Sequence, residues 1–158
     1  MSFAAAHDVW KDPLLLSRVC ADCNSLCTEI VVRLLRALQD LPAPDLYIIT
    51  PFVIVQDNIR RLVRESGLIQ KWTDDPGAWI YQRIGTVHTV QGREAEAVIF
   101  VLGAPAAQQI GARSWAGGRP NLLNVAVSRA KEVLYVVGNR SLWRQAGLFA
   151  ELDSRLPR

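Results

Sequence analysis

The sequence predicts an α/β fold, a parallel sheet with helices on both faces. Three observations carry this. Leu46–Thr50, Ala97–Leu102 and Val133–Val137 are short runs apolar at nearly every position, the pattern of strands buried on both faces. Stretches with a period near 3.6 residues separate them, as helices packed on such a sheet would. Pro51, Gly103 and the pair Gly138-Asn139 close the three runs, as the connections of βαβ units do. At 158 residues, half of them hydrophobic and 21% charged, the chain is one domain, 1–158, large enough to bury a full core.

The elements follow in order. Residues 13–45 read as an N-terminal helix and linker, with Asp12 as N-cap and Pro13 in the first helical position. The helix runs to Gln39 along the stripe Val19, Cys20, Cys23, Leu26, Cys27, Ile30, Val31, Leu34, Leu35 and Leu38. All three cysteines lie on that stripe and read as small buried hydrophobes. A zinc or iron–sulfur site would want a fourth ligand, and neither His7 nor His88 stands at an obvious spacing, so no metal is expected. Leu41-Pro42-Ala43-Pro44 stops the helix.

Residues 46–139 form the core of the domain. Strand Leu46–Thr50 leads to a helix near Asp57–Glu65, with Ile59, Leu62 and Val63 inward, Arg60, Arg61 and Arg64 outward, and Gly67 at its end. Gln70–Tyr81 is the least regular part, with Asp74-Asp75-Pro76-Gly77 as a turn. Thr86–Val90 and Ala97–Leu102 read as strands. A Gly/Pro/Ala-rich loop spans Gly103–Arg119, a helix covers 121–131, and strand Val133–Val137 follows. Residues 140–158 are the C-terminal segment, one helix from Ser141 to about Arg155. In parallel sheets ligands gather beyond the carboxyl ends of the strands, and several of the unusual residues of this chain fall at or near strand ends.

Met1–Lys11 has neither a basic n-region nor an apolar h-region. The longest uncharged apolar stretch, Ala97–Ala107, is too short to span a bilayer and is broken by Gly103 and Pro105. A soluble, cytoplasmic chain with no membrane partner is expected. The net charge of +3 suits a polyanionic partner. Only Lys11, Lys71 and Lys131 among the 18 basic residues are lysine. That bias favours phosphate contact, and GC-rich coding would produce it equally.

Two segments carry the chemistry. Asn121-Leu122-Leu123-Asn124-Val125-Ala126-Val127-Ser128-Arg129-Ala130-Lys131 keeps two helical turns free of charge, then presents Arg129 just before an apolar strand. A guanidinium so placed suits a planar anion, a phosphate first of all. Thr86-Val87-His88-Thr89-Val90-Gln91-Gly92-Arg93-Glu94-Ala95-Glu96 is dense in polar groups around one glycine. Gly92 there serves either positive φ or close backbone approach to a ligand. Thr86, Thr89 and Gln91 offer neutral groups that position phosphate and sugar. Glu94 could accept a ribose hydroxyl. Taken alone, this segment reads equally well as a polar hairpin tip.

In this order, the two segments closely resemble motifs V and VI of superfamily 1 helicases, closest to the branch of the nonsense-mediated-decay helicase and its DNA-repair relatives. Ile48-Ile49-Thr50-Pro51-Phe52 resembles motif IV. The resemblance spans Leu46 to Asn139 and implies the second, C-terminal RecA-like domain of an ATP-dependent motor. It implies that Arg129 is the catalytic arginine finger, reaching across an interdomain cleft to the γ-phosphate. Gln91, Gly92, Arg93 and Glu94 would line the nucleotide site with Arg129. Thr50, Pro51, Thr86, His88 and Thr89 would lie on the side of single-stranded DNA or RNA, although His88 alone also reads as a buried histidine with its hydrogen bonds satisfied inside the fold or one that supports a neighbouring site residue.

The chain departs from the family pattern in several places. Val55 stands where motif IV usually has glutamine, and Gln56 follows one step later. No Gln-Tyr-Arg-Met element, no Gly-x-x-x-x-Gly-Lys-Ser/Thr loop and no Walker B acidic pair occurs. The resemblance therefore implies that ATP and Mg2+ are bound mainly by a first RecA-like domain absent from this chain, which alone would hydrolyse no ATP. The other reading is a non-catalytic RecA-like module that binds nucleic acid or protein. A stacking surface around Trp115, in the loop Ile110–Pro120, is compatible with both, as is a core role for that residue.

Overall fold

A computed structural model describes residues 24–89, 92–104 and 106–155. Of the long first helix, Asn24–Leu38 (α1) lies among them; Asp12, Pro13, Cys20 and Cys23 fall outside. Strand β1 is Leu46–Thr50 and helix α2 Val53–Ser66. A 3-10 turn, Leu68–Lys71, precedes α3, Pro76–Arg83, and β2, Ile84–Thr86. Then come β3, Ala95–Val101, a 3-10 turn Ala107–Gln109, α4, Ile110–Gly117, and α5, Pro120–Arg129. The last elements are β4, Ala130–Val137, α6, Arg140–Trp143, and α7, Phe149–Arg155.

The four strands form one sheet in the order β2-β1-β3-β4, parallel throughout. The two-residue alternation of each strand divides the apolar runs between two layers. Leu46 and Ile48, Ala97, Ile99 and Val101, and Val137 face α1 and α2 together with Cys27, Val31, Leu35, Ile59 and Val63. Tyr47 and Ile49, Val98 and Phe100, and Leu134 and Val136 face the other way, against Leu122, Ala126, Trp143 and Phe149. An all-apolar strand is thus two half-cores back to back, and the predicted α/β sheet with helices on both faces is the observed one.

Several expected boundaries shift, for physical reasons. Asp75 does not merely turn the chain: its carboxylate accepts from the Ala78 amide at 2.9 Å and caps α3, with Pro76 at the helix start. Thr86 ends β2 instead of beginning a strand, because its carbonyl accepts from both the amide and the hydroxyl of Thr89, at 3.0 and 2.9 Å, closing a turn. Arg60 does not point outward. Its guanidinium donates to the Ile84 carbonyl on the sheet's outer strand, at 2.9 and 2.6 Å, and covers the Tyr81 ring at 4.9 Å. The loop 103–119 contains α4.

The single C-terminal helix is in fact two. The break falls at Gly147, where φ is +51° and a Cβ would stand 2.4 Å from the Gly117 carbonyl oxygen. Reciprocally, a Cβ on Gly117 would lie 2.4 Å from the Ala146 carbonyl oxygen, and the Leu148 amide donates to the Gly117 carbonyl at 3.2 Å. Two backbones touch here with no room for a side chain. Gly117→Ala should therefore destabilise the domain by about 2 kcal/mol, the usual range for overpacking, read as a lower midpoint in urea. An unchanged midpoint would mean that the contact opens at no cost.

Candidate functional site

The charged loops gather at the amino ends of β3 and β4. Ala95 pairs with Ala130 across the two strands, so the residues just before them, Glu94 and Arg129, are brought side by side. The helix that delivers Arg129 starts at Pro120 and buries Leu122 and Ala126 on the sheet. It ends without a turn, because Ala130 is already extended and opens β4. A cation is favoured at that helix end, where the unpaired carbonyls carry partial negative charge.

Arg129 is half-buried. Nη1 reaches the Arg93 carbonyl at 3.4 Å and Nη2 the Ser128 hydroxyl at 3.1 Å, while Nε is buried without a hydrogen-bond partner. Lys131 stands 3.8 Å from Glu94, both about half exposed. Asp45, just ahead of β1, accepts from Arg83 Nη1 at 2.7 Å and from the Glu96 amide at 3.2 Å. Among the described residues no carboxylate lies within ion-pair distance of Arg93 or Arg129. Arg93 Nη1 donates to the Gln82 carbonyl at 3.5 Å, so both guanidinium groups at this edge meet only neutral acceptors.

Gly92 has φ +83°, and a Cβ there would meet nothing within 4 Å. Its glycine is required by conformation, and the space above it is open. Gln91 lies outside the described residues. The edge thus carries two guanidinium groups without carboxylate partners, a sharp turn at Gly92 and the exposed Glu94 carboxylate beside Lys131.

The other set of predicted residues stands at the opposite, carboxyl edge. Thr50 and Thr86 pair as the last residues of β1 and β2. Thr50, Pro51 and Thr86 are buried, and the Thr50 hydroxyl accepts from the Phe52 amide at 3.4 Å. His88 and Thr89 are exposed. The structure therefore groups Gly92, Arg93, Glu94 and Arg129 at one edge and Thr50, Pro51, Thr86, His88 and Thr89 at the other. Both sets thus fall at or near strand ends, and the Ala95–Ala130 register places the arginine at the amino ends rather than the carboxyl ends.

Some residues escaped the sequence reading. Arg113 is buried, 4% exposed, and its guanidinium donates to the carbonyls of Ala104, Ala106 and Ala107 at 2.7, 2.6 and 2.9 Å. It holds the turn after β3, where Ala104 adopts φ +44°, a conformation that non-glycine residues rarely take. The alanine-rich stretch has no side chain of its own to satisfy those carbonyls, which is the signal that could have pointed to Arg113. On β4, burial pushes the Tyr135 hydroxyl up to about 12, so it stays protonated at neutral pH. Among the described residues no helix is long and apolar enough to cross a membrane, and no group of three His, Cys, Asp or Glu could hold a metal ion.

A family model described as an AAA domain matches residues 17–141. The chain is also similar to the DNA polymerase alpha-associated DNA helicase A of Schizosaccharomyces pombe, 32% identical over 110 residues. That alignment covers 69% of this chain and 14% of the fission-yeast protein, so the chain spans a small part of that relative's length. The chain belongs to the AAA domain family and, within it, is a superfamily 1 helicase-like domain.

Proposed function

We propose that this chain is the second, C-terminal RecA-like domain of an ATP-dependent superfamily 1 helicase. In this reading its amino edge faces the nucleotide and its carboxyl edge the single-stranded nucleic acid. The observation that carries the reading is the Ala95–Ala130 register, which sets Arg129 beside the turn at Gly92–Glu94. Arg129 and Arg93, without carboxylate partners, approach the phosphates. Glu94 turns to the ribose, and leaving Lys131 costs little, since an exposed ion pair is worth at most about 1 kcal/mol. The buried, unpaired Nε of Arg129 gains an acceptor when an anion arrives.

Mg2+ and most of the ATP contacts belong to a first RecA-like domain carrying the phosphate-binding loop. Bound ATP supplies the anhydride whose hydrolysis drives translocation. This chain's part is to place a positive charge where the terminal phosphate becomes more negative, and to close the cleft against water.

On the carboxyl edge, His88, Thr89 and the backbone beyond Thr50 and Thr86 hold a strand by its phosphates, without reading sequence. The purified chain should therefore bind single-stranded DNA or RNA weakly, and its affinity should fall steeply with salt as counterions are released. Fluorescence anisotropy across a salt series measures this; tight binding indifferent to ionic strength contradicts it. In the same preparation no ATP turnover is expected. Turnover that survives Arg129→Ala would overturn the motor-domain reading.

A further inference from the structure

The exposed tryptophan of α4 is not accounted for by the fold or by phosphate contacts. Trp115 is 41% exposed, whereas Trp143 is buried and Trp72 and Trp79 pack half-buried against each other at 5.8 Å. Its ring centroid lies 6.0 Å from that of Phe52. Phe52 follows Thr50-Pro51 at the end of β1, and α4 leaves the connection from β3, so both rings stand on the carboxyl edge. The Arg119 guanidinium lies 4.6 Å over the Trp115 ring and has no carboxylate partner among the described residues. The tight Gly117–Gly147 contact fixes the backbone at the end of α4, close to the residue that carries the indole.

We propose that Phe52, Trp115 and Arg119 form a base-stacking subsite for single-stranded nucleic acid. This rests on the reading that the carboxyl edge carries the strand, and it adds a contact to the bases where His88 and Thr89 reach the backbone. An exposed indole and a guanidinium plane both take a nucleobase face to face, whichever base it is, because every base has a π-face. The uncommitted charge of Arg119 at the same place favours a polyanion over an apolar protein surface. The neighbouring Val53 and Ile54, both more than 60% exposed, give the base edges an apolar floor.

The test compares an oligothymidylate with an abasic oligomer of equal length, which keeps the sugar–phosphate backbone and lacks the bases. Trp115→Ala should weaken binding of the oligothymidylate about tenfold and leave the abasic oligomer unaffected. Trp115→Phe should keep most of the affinity. Arg119→Gln, at an exposed position that tolerates change, should weaken oligothymidylate binding more than abasic binding.

Equal losses on both oligomers, or none on either, overturn the subsite and leave the nucleic-acid reading standing. Wild-type protein that binds neither oligomer at low salt overturns both. Self-association in sedimentation that Trp115→Ala abolishes, with oligothymidylate binding unchanged, assigns the patch to a protein partner and overturns the subsite.

Discussion

In the two-domain motor proposed above, Arg129→Ala should lower the ATPase rate by on the order of 10³ to 10⁵, the range seen when an arginine finger is removed from a phosphoryl-transfer site. The domain itself should barely notice. Arg129 makes two neutral contacts, at 3.4 and 3.1 Å, and its Nε is buried and unsatisfied, so the side chain contributes little to folding. A change in stability within about 0.5 kcal/mol is expected, because the substitution removes no ion pair and leaves no acceptor in the core unsatisfied. The loss should fall on kcat rather than KM, because a charge that meets the terminal phosphate strengthens as the transition state forms. Arg129→Lys should not restore the rate, since a point charge on a flexible stem lacks the planar fork. A rate within tenfold of wild type would remove Arg129 from the mechanism.

Trp143→Ala should be the most destabilising single change, at about 3 to 5 kcal/mol. The indole is 2% exposed, packs edge-on against Phe149 at 4.6 Å between centroids, and donates to the Gly103 carbonyl at 2.8 Å. It therefore joins the short helices α6 and α7 to the turn at the carboxyl end of β3. Truncation leaves a cavity and an unsatisfied carbonyl together. Trp143→Phe separates the two effects: it keeps a ring against Phe149 and loses only the donor, at about 1 to 3 kcal/mol. With typical domains stable by only 5 to 15 kcal/mol, the alanine variant should melt roughly 10 °C lower. A shift of a degree or two would show that the segment after β4 folds independently of the sheet.

The sequence made the framework readable because the core is built from runs that announce themselves. Leu46–Thr50 lies between Pro44-Asp45 and Pro51, and its five residues are all buried, so its limits were legible to the residue. β3 and β4 begin earlier than their apolar runs. Ala95 and Glu96, and Ala130 to Glu132, are held by backbone pairing at the amino edge, where polar side chains cost nothing. β2 was misplaced because three residues with a central glycine, paired to β1, carry too little pattern to be seen. Helices α3 and α4 were hidden for a related reason: each contains glycine and is short, so tertiary packing decides what propensity leaves open.

The site divided along the same line. Motif order was enough to associate Arg129 with Gly92 and Glu94. Their position at the amino ends was not legible, because it depends on which residue of β4 faces Ala95. Arg113 was legible only through the unsatisfied carbonyls of the alanine-rich stretch before it, and the Phe52–Trp115 pair depends on a contact between distant segments, which no local pattern records.

Asp45 bears on all of this without touching a ligand. A parallel strand can slide past its neighbour by two residues and still send the same side chains to the same layer. Hydrophobic alternation alone leaves that choice open. By engaging Arg83 at the entrance to β2 and the Glu96 amide in β3, one carboxylate sets the offset of three strands at once. The levelness of the amino edge, and with it the reach of a guanidinium two strands away, is steadied by a residue that works as a datum line.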